Sequence, residues 1–343
     1  MIDLARYSAF ARYMGYRALA SVPTILGLVV LTFVISHMIP GNPALTVIGP
    51  ERNPQELQIL EQEMGLNKPL YIQFYNYLAG LVHGNLGYSF IQQQSVSSLV
   101  ASRFPASLEL AIASVLIGIP VALFLGLWTA LRVNRPEDHA VRVFSLLGIS
   151  MPVFWVGTEL ILVFYSFFHL LPASGQLDPA LSPPTTITGM YILDSAFTGN
   201  FPDLVSSLSH IVLPALTLSI FTIAFLSRIV RSGMLDVLGT DYIRTSAAIG
   251  LPRNVIVNKY ALRNALLPAI TVGALTVAGL IAGVVLTETV FGWIGLGYLA
   301  FQSIEGPDYP SLIAVVLISG FLFVIANFIA DILYAVVDPR VRL

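Results

Sequence analysis

Two glutamates stand where an apolar chain has no ordinary use for them. Glu159 lies in the third long apolar run, one turn past Trp155, and Glu288 lies just beyond the fifth. An ionisable group at such depth usually faces a bundle interior or a water-filled cavity, because lipid cannot solvate it. The readings open to Trp155, Glu159 and Glu288 are therefore contact with a solute on its path, the proton and cation binding of an ion-driven carrier or, for Glu159, a protonated or hydrogen-bonded structural role. Hydrolytic and phosphoryl chemistry lacks its residues. The sequence holds no Gly-Lys pair, and so no phosphate-binding Walker loop, no His-Glu-x-x-His helix and no Gly-x-Ser-x-Gly elbow. It has no cysteine, which removes disulfides, thiolate metal sites and cysteine nucleophiles. His37, His83, His139, His169 and His210 are scattered rather than gathered with carboxylates into a metal-binding set.

The elements that must position these acids are membrane helices. Apolar residues make up 56% of the chain and charged residues 10%, and several apolar runs exceed the roughly 18 residues needed to cross a hydrocarbon core. Six spans are expected, at 19–39, 107–131, 144–168, 206–229, 265–286 and 312–336, each a helix because a helix satisfies its own backbone in lipid. The first run ends in His-Met-Ile-Pro-Gly-Asn-Pro rather than a small-residue cleavage site, so it is expected to remain as an anchor. Of the 17 Lys and Arg, all but Arg52, Lys68 and Arg103 fall on one side of this arrangement. That side is cytoplasmic by the positive-inside rule, and it holds both termini. Pro152, near the start of the third span, should kink that helix, and Gly279 and Gly283 have the spacing that lets a second helix approach.

One polar stretch on the basic side, 239–268, is too charged to be a span: it carries Arg244, Arg253, Lys259 and Arg263 against one acid, Asp241. Thr240 is placed to cap a helix that begins at Asp241, and Gly250 followed by Pro252 supplies its stop. The result is a helix of roughly nine residues, about 13 Å long. So short a helix is marginal by itself and needs something to dock against. A second helical stretch should run from about Asn254 into the fifth span.

The order Asp241-Tyr242-Ile243-Arg244-Thr245, then Gly250-Leu251, then Ala261-Leu-Arg-Asn-Ala-Leu-Leu-Pro268, resembles the cytoplasmic coupling loop of ABC-importer permeases in the dipeptide, oligopeptide and nickel subfamily. Where the general motif has Glu-Ala-Ala, this chain has Arg244, Thr245 and Ser246, as the peptide subfamily does. The likeness extends along residues 12–342. Gly84-Asn-Leu-Gly-Tyr-Ser89, Ser150-Met-Pro-Val-Phe-Trp155, Leu171-Pro-Ala-Ser-Gly175 and Asp338-Pro-Arg340 are similar to family motifs. So is the turn Glu288…Phe291…Gly295-Leu-Gly297, with Ile294 where proline is usual. Asn42 and Asn85 replace the family's aspartates.

The resemblance implies an all-α integral membrane protein with the type I ABC-importer permease fold, six transmembrane helices and cytoplasmic termini. Residues 1–18 form a lead of no assigned role, and 19–343 the permease domain, with an extracytoplasmic loop at 40–106 and the coupling loop at 230–265. The aromatic stretch 69–78 is expected to be an outer cap that meets a binding protein, or a flap packed over the bundle. The proline-rich loop 171–202 is not expected to form a regular domain. The implied function is a non-enzymatic subunit of an ATP-driven importer in a prokaryotic cytoplasmic membrane, forming half of a path for di- and oligopeptides. Oligosaccharides or nickel complexes are the alternative cargo, and a self-contained ion-coupled carrier the alternative class. Expected partners are a second homologous permease, two ATPase subunits that bind ATP and Mg, an external solute-binding protein and membrane lipid, with no nucleic acid. This chain itself needs no cofactor. Asp241, Tyr242, Ile243, Arg244, Thr245, Gly250 and Leu251 are expected to couple to the ATPase, and Trp155, Glu159 and Glu288 to line the path.

This topology has a direct test. A Ser182→Cys variant should react with an impermeant thiol reagent added outside whole cells, and a Thr240→Cys variant only after permeabilisation; the reverse pattern would invert the chain.

Overall fold

The computed structural model describes residues 2–38, 54–63 and 65–337. The Pro40–Pro43 motif and the tail motif at 338–340 lie outside the described residues, as do the surroundings of Gly283. In chain order the helices α1 (Ile2–Met38), α2 (Pro54–Glu63) and α3 (Leu70–Val82) lead to a two-residue hairpin, β1 (Tyr88–Ser89) and β2 (Gln94–Ser95). Then come α4 (Val96–Ala130), α5 (Pro136–Ser150) and α6 (Val153–Leu160), which continues through a π-helical stretch, Ile161–Phe167. After α7 (Tyr191–Thr198) come α8 (Phe201–Leu238), α9 (Asp241–Ala248) and α10 (Arg253–Val255). A second π-helical stretch, Ile256–Ala261, leads into α11 (Leu262–Phe291), α12 (Leu296–Glu305) and α13 (Tyr309–Val337). Among the described residues, five helical stretches are long and apolar enough to cross a membrane: Arg12–Met38, Val96–Ala130, Phe201–Leu238, Arg253–Val277 and Tyr309–Ile332.

The third expected span is broken rather than kinked. Met151 and Pro152 are both extended, and the helices on either side meet at 112°. A second bend, of 80°, separates Val284–Phe291 from α12. Even so, both halves of the broken span pack on α8, and the loop that follows reaches the far end of that helix. Asp138 pairs with Arg231, the hydroxyls of Ser145 and Ser227 lie 3.3 Å apart, Gly157 packs near Thr217, and Asp178 N–H donates to Ser206 Oγ. From Arg231 back to Ser206 is roughly 37 Å of helix axis.

Helix α8 is the hub, because 61% of its most apolar window is buried against 6% for α1. Small residues let its neighbours close in. A Cβ on Gly126 of α4 would stand 2.6 Å from Val230, one on Gly148 of α5 2.8 Å from Ala224, and one on Gly233 2.8 Å from the Ala265 carbonyl of α11. Ala122, Leu226, Val230, Met234 and Ala265 form the core at this end, and Leu110, Ile211, Leu218, Val284 and Trp293 the core farther along.

Helix α1 lies apart and packs on α13, with Arg17 and Asp331 paired at 3.3 Å. Leu123, Leu226, Leu266 and Ala330 line one crevice and so share a depth. Arg17 and Asp331, beside Ala330, therefore lie at the same end as the 239–252 loop. The aromatic helix α3 rests on the far end of α1. Phe74 meets Phe33 edge-on at 5.1 Å, Tyr77 Oη is 3.2 Å from Thr32 Oγ1, and Tyr71 and Tyr75 stay exposed.

The proline-rich loop 171–202 contains α7 and is held by two buried acids. Glu109 of α4 accepts from Ile192 N–H at 2.8 Å. Asp194 accepts from the N–H groups of Ile187, Thr188 and Gly189 and from Thr188 Oγ1, at 2.7 to 3.2 Å. Burial pushes the Asp194 carboxyl up, but these donors outweigh it and hold the group below the usual aspartate range. Its stabilisation is thus complete above about pH 4 and is lost as pH falls through the lowered value. Asp194→Ala should orphan three N–H groups at about 1–3 kcal/mol each. Limited proteolysis of intact complex should cut the 182–200 region faster in that variant at neutral pH, while wild type stays resistant.

Candidate docking helix and membrane path

The candidate docking helix is built by its two ends. Gly250 adopts φ +82°, a backbone that L side chains avoid, and so ends α9 where the sequence placed its stop. The start differs from expectation: Thr240 does not cap α9. Its Oγ1 donates instead to Val237 O at 2.6 Å, closing the last turn of α8. Eight residues are helical, and they have two faces. Ile243 and Ser246 are buried, Ile243 in the core that includes Ile256 and Val257. Between this inner face and the ends of α4 and α8 lies a cavity of about 420 Å³, edged by Leu131, Leu238, Ala247, Leu251 and Arg253.

The other face is bare. Asp241, Tyr242, Arg244 and Thr245 are exposed, as are Ala248 and Ile249. Tyr242, Thr245 and Ile249 follow one helical stripe, and Ile249 is 71% exposed. Around them Arg244, Arg253, Lys259 and Arg263 form a solvated basic rim. Arg244 and Asp241 pair at 3.4 Å on the surface, which contributes little. Asn264 Nδ2 donates to Tyr242 Oη at 2.8 Å and ties the helix to the start of α11. Ile249 and Asn264 are absent from the set expected from sequence. Ile249 could have been found by carrying the helical register one turn past Thr245; Asn264 could not, because its partner lies 22 residues away.

The membrane acids separate. Glu288 is wholly buried. Its Oε1 accepts from Ser107 Oγ of α4 at 2.5 Å and its Oε2 from Tyr298 N–H at 2.9 Å. Ser107 Oγ accepts in turn from Leu296 N–H at 2.8 Å. Glu288 thus takes up a free donor in the first turn of α12, where a negative charge is favoured. Gly295 and Gly297 are required: a Cβ on Gly295 would meet the Glu288 carboxylate and Ser107 Oγ, and one on Gly297 would stand 2.5 Å from Val285 Cα. Trp293, donating to Ala106 O at 2.9 Å, completes the turn.

Glu159 is placed otherwise. The packed face of α6 is that of Gly157, whose Cβ position is 3.1 Å from Phe291 and 3.4 Å from Thr217. Trp155 and Thr158 are exposed, Glu159 is half-buried, and Leu162 continues their face outward. Among the described residues, no hydrogen bond or ion pair joins Glu159 to Glu288.

Comparison with known proteins agrees with this geometry at the level of family. Residues 118–343 match the model of the binding-protein-dependent transport system inner membrane component, and residues 10–111 that of the N-terminal part of such membrane components. The probable D,D-dipeptide transport system permease protein DdpB of Escherichia coli strain K12 is 42% identical, over 97% of this chain and 98% of its own. The dipeptide transport system permease protein DppB of Alkalihalophilus pseudofirmus is 36% identical over 96% and 99%. The oligopeptide transport system permease protein AppB of Bacillus subtilis strain 168 is 36% identical over 97% and 99%. With apolar helices able to cross a bilayer several times and family models matched along almost its whole length, the chain belongs to the family of inner membrane components of binding-protein-dependent transport systems.

Proposed function

We propose that this chain is one of two homologous permease subunits of an ATP-driven importer of the type I fold, and that its cargo is a di- or oligopeptide handed over by an external solute-binding protein. In this reading the chain crosses the membrane six times, with the broken α5–α6 pair as one crossing. The end that carries the 239–252 loop is cytoplasmic. Two partner ATPase subunits bind ATP and Mg, and α9 is seated in one of them. The cargo class rests on relatives whose names specify dipeptides and oligopeptides.

The observation that carries the reading is the two-faced docking helix. Its inner face is locked to α11 and the second π-helical stretch, and its outer stripe of Tyr242, Thr245, Ala248 and Ile249 is uncovered within a basic rim. A self-contained ion-driven carrier has no use for such a stripe, whereas an apolar cleft with acidic edges fits it. Trp155 and Glu159 then face the path between the two permeases, and Glu288 braces the turn into α12 from within its own chain.

Gly250→Leu, which forces a side chain into a left-handed backbone, and Tyr242→Glu, which places a charge on the stripe, should each lower uptake at least tenfold, about 1.4 kcal/mol, or detach the ATPases while the membrane subunits still assemble. Wild-type uptake and wild-type stimulated hydrolysis in both variants would reject the docking assignment. For the path, Glu159→Gln should keep complex yield and change uptake, because it preserves size and hydrogen bonding but removes the charge. Normal uptake by that variant at every pH tested would take Glu159 off the path.

A further inference from the structure

Docking helix and path residues stand far apart. Helix α9 follows the Leu238 end of α8, whereas the Gly157 face of α6 packs near Thr217, roughly 30 Å back along the same helix. Displacement at α9 can pass into α11, through its locked inner face, and into α8, through the two residues Gly239 and Thr240. From α8 it can reach α6 directly, where Gly157 meets Thr217, or through α5, and how firmly α5 is joined to α8 sets what the second route delivers.

Three places join them. Ser145 and Ser227 meet at 3.3 Å, and Gly148 leaves no room for a Cβ beside Ala224. Both contacts lie near the Met151-Pro152 break. A rod held only near its hinge can still pivot. The third contact is at the other end of α5, about 20 Å from the break. There Asp138 Oδ1 accepts from Arg231 Nε at 2.6 Å and Oδ2 from Arg231 Nη2 at 2.8 Å, a two-point grip that fixes direction as well as distance. Asn134 N–H adds a bond to Oδ2 at 3.0 Å, and Arg142 Nε lies 3.8 Å from Oδ1. The Asp138 side chain is wholly buried, and that of Arg231 is 18% exposed. Arg231 itself lies on the last two turns of α8 before the docking helix.

We propose that the Asp138–Arg231 pair is a positioning strut: it makes α5 follow α8, so that movement of the docking helix turns α6, with Trp155 and Glu159, about the Met151-Pro152 break. The inference rests on the docking reading of α9. Neither residue touches cargo or nucleotide in this scheme; each acts through the helices it joins.

The test uses the assembled importer in proteoliposomes with its ATPase subunits and binding protein. Asp138→Cys and Arg231→Cys together remove both charges, so no ion is left buried alone, and the chain has no other cysteine. Unbridged, this double variant should keep binding-protein-stimulated ATP hydrolysis within about twofold of wild type while uptake per ATP falls about tenfold. Joining the two thiols with a short bis-methanethiosulfonate reagent should restore uptake per ATP to within about threefold, and reduction should abolish the gain. Wild-type complex treated alike is the control. Wild-type uptake per ATP in the unbridged variant, no recovery on bridging, or a complex that cannot be assembled with or without the bridge would each overturn the strut. If the Gly250 and Tyr242 variants also behave as wild type, the docking reading has failed; if they uncouple and the double variant does not, only the strut has.

Discussion

A backbone N–H released inside an apolar bundle has no water to bond, and leaving it unpaired costs about 1–3 kcal/mol. Among the described residues, several departures from straight helix meet that constraint with a buried carboxylate. Glu109 receives Ile192 in the first turn of α7, Glu288 receives Tyr298 in the first turn of α12, and Asp308 receives Ser311 in the first turn of α13 while also binding Ser89 of the hairpin. The common position is a helix start, where the free N–H groups carry partial positive charge and an acid is the fitting partner. Acids so placed can lie in apolar surroundings without a base beside them.

The opposite device governs the basic end. There α8 is enclosed by surfaces from which side chains have been removed: Gly126, Gly148 and its own Gly233 bring three helices to backbone contact. Close contact of this kind resists sliding because no side chain can change rotamer to relieve it. The Arg231–Asp138 pair adds direction to that grip. The chain changes direction between its rods at Gly239-Thr240, at Met151-Pro152 and at the turn through Gly292, which has φ +57°. Stiff rods with few joints transmit displacement; a uniformly soft bundle would absorb it.

Much of this was legible in the sequence, for physical reasons that differ by residue. Long apolar runs can only be helices in lipid, so the helical segments could be placed. Gly250 announced the end of the docking helix because few other residues accept its backbone. Pro152 marked a kink, yet not its size, because the 112° bend depends on two consecutive extended residues and only one of them is proline. Thr240 was misjudged as the cap of α9 since a threonine between two helices can serve either, and here the preceding carbonyl took its hydroxyl. The grip of Asp138 on Arg231 spans 93 residues, and no local pattern marks it. Glu288 looked like Glu159 because a single sequence records that an acid is buried but not which donors converge on it.

The contrast between those two glutamates carries the functional weight. Glu288 has its donors supplied by its own chain, so its burial is complete and its role is to hold a turn. Glu159 lies beyond the packed face of α6, beside an exposed Trp155, on a helix that next becomes π-helical and shifts the register of Leu162 and Tyr165. Lipid is the wrong neighbour for that face, because a carboxylate in hydrocarbon costs several kcal/mol whether it is desolvated or forced to take a proton. A second copy of the fold packed directly against it would need to bring a donor. A water-filled path needs none: it solvates the carboxylate, and the aromatic and aliphatic side chains around it offer surface to a solute that changes from one delivery to the next. Among the described residues, donors from the same chain converge on Glu288 and none reaches Glu159, and that contrast sets a residue that holds the fold apart from one left free for the path proposed above.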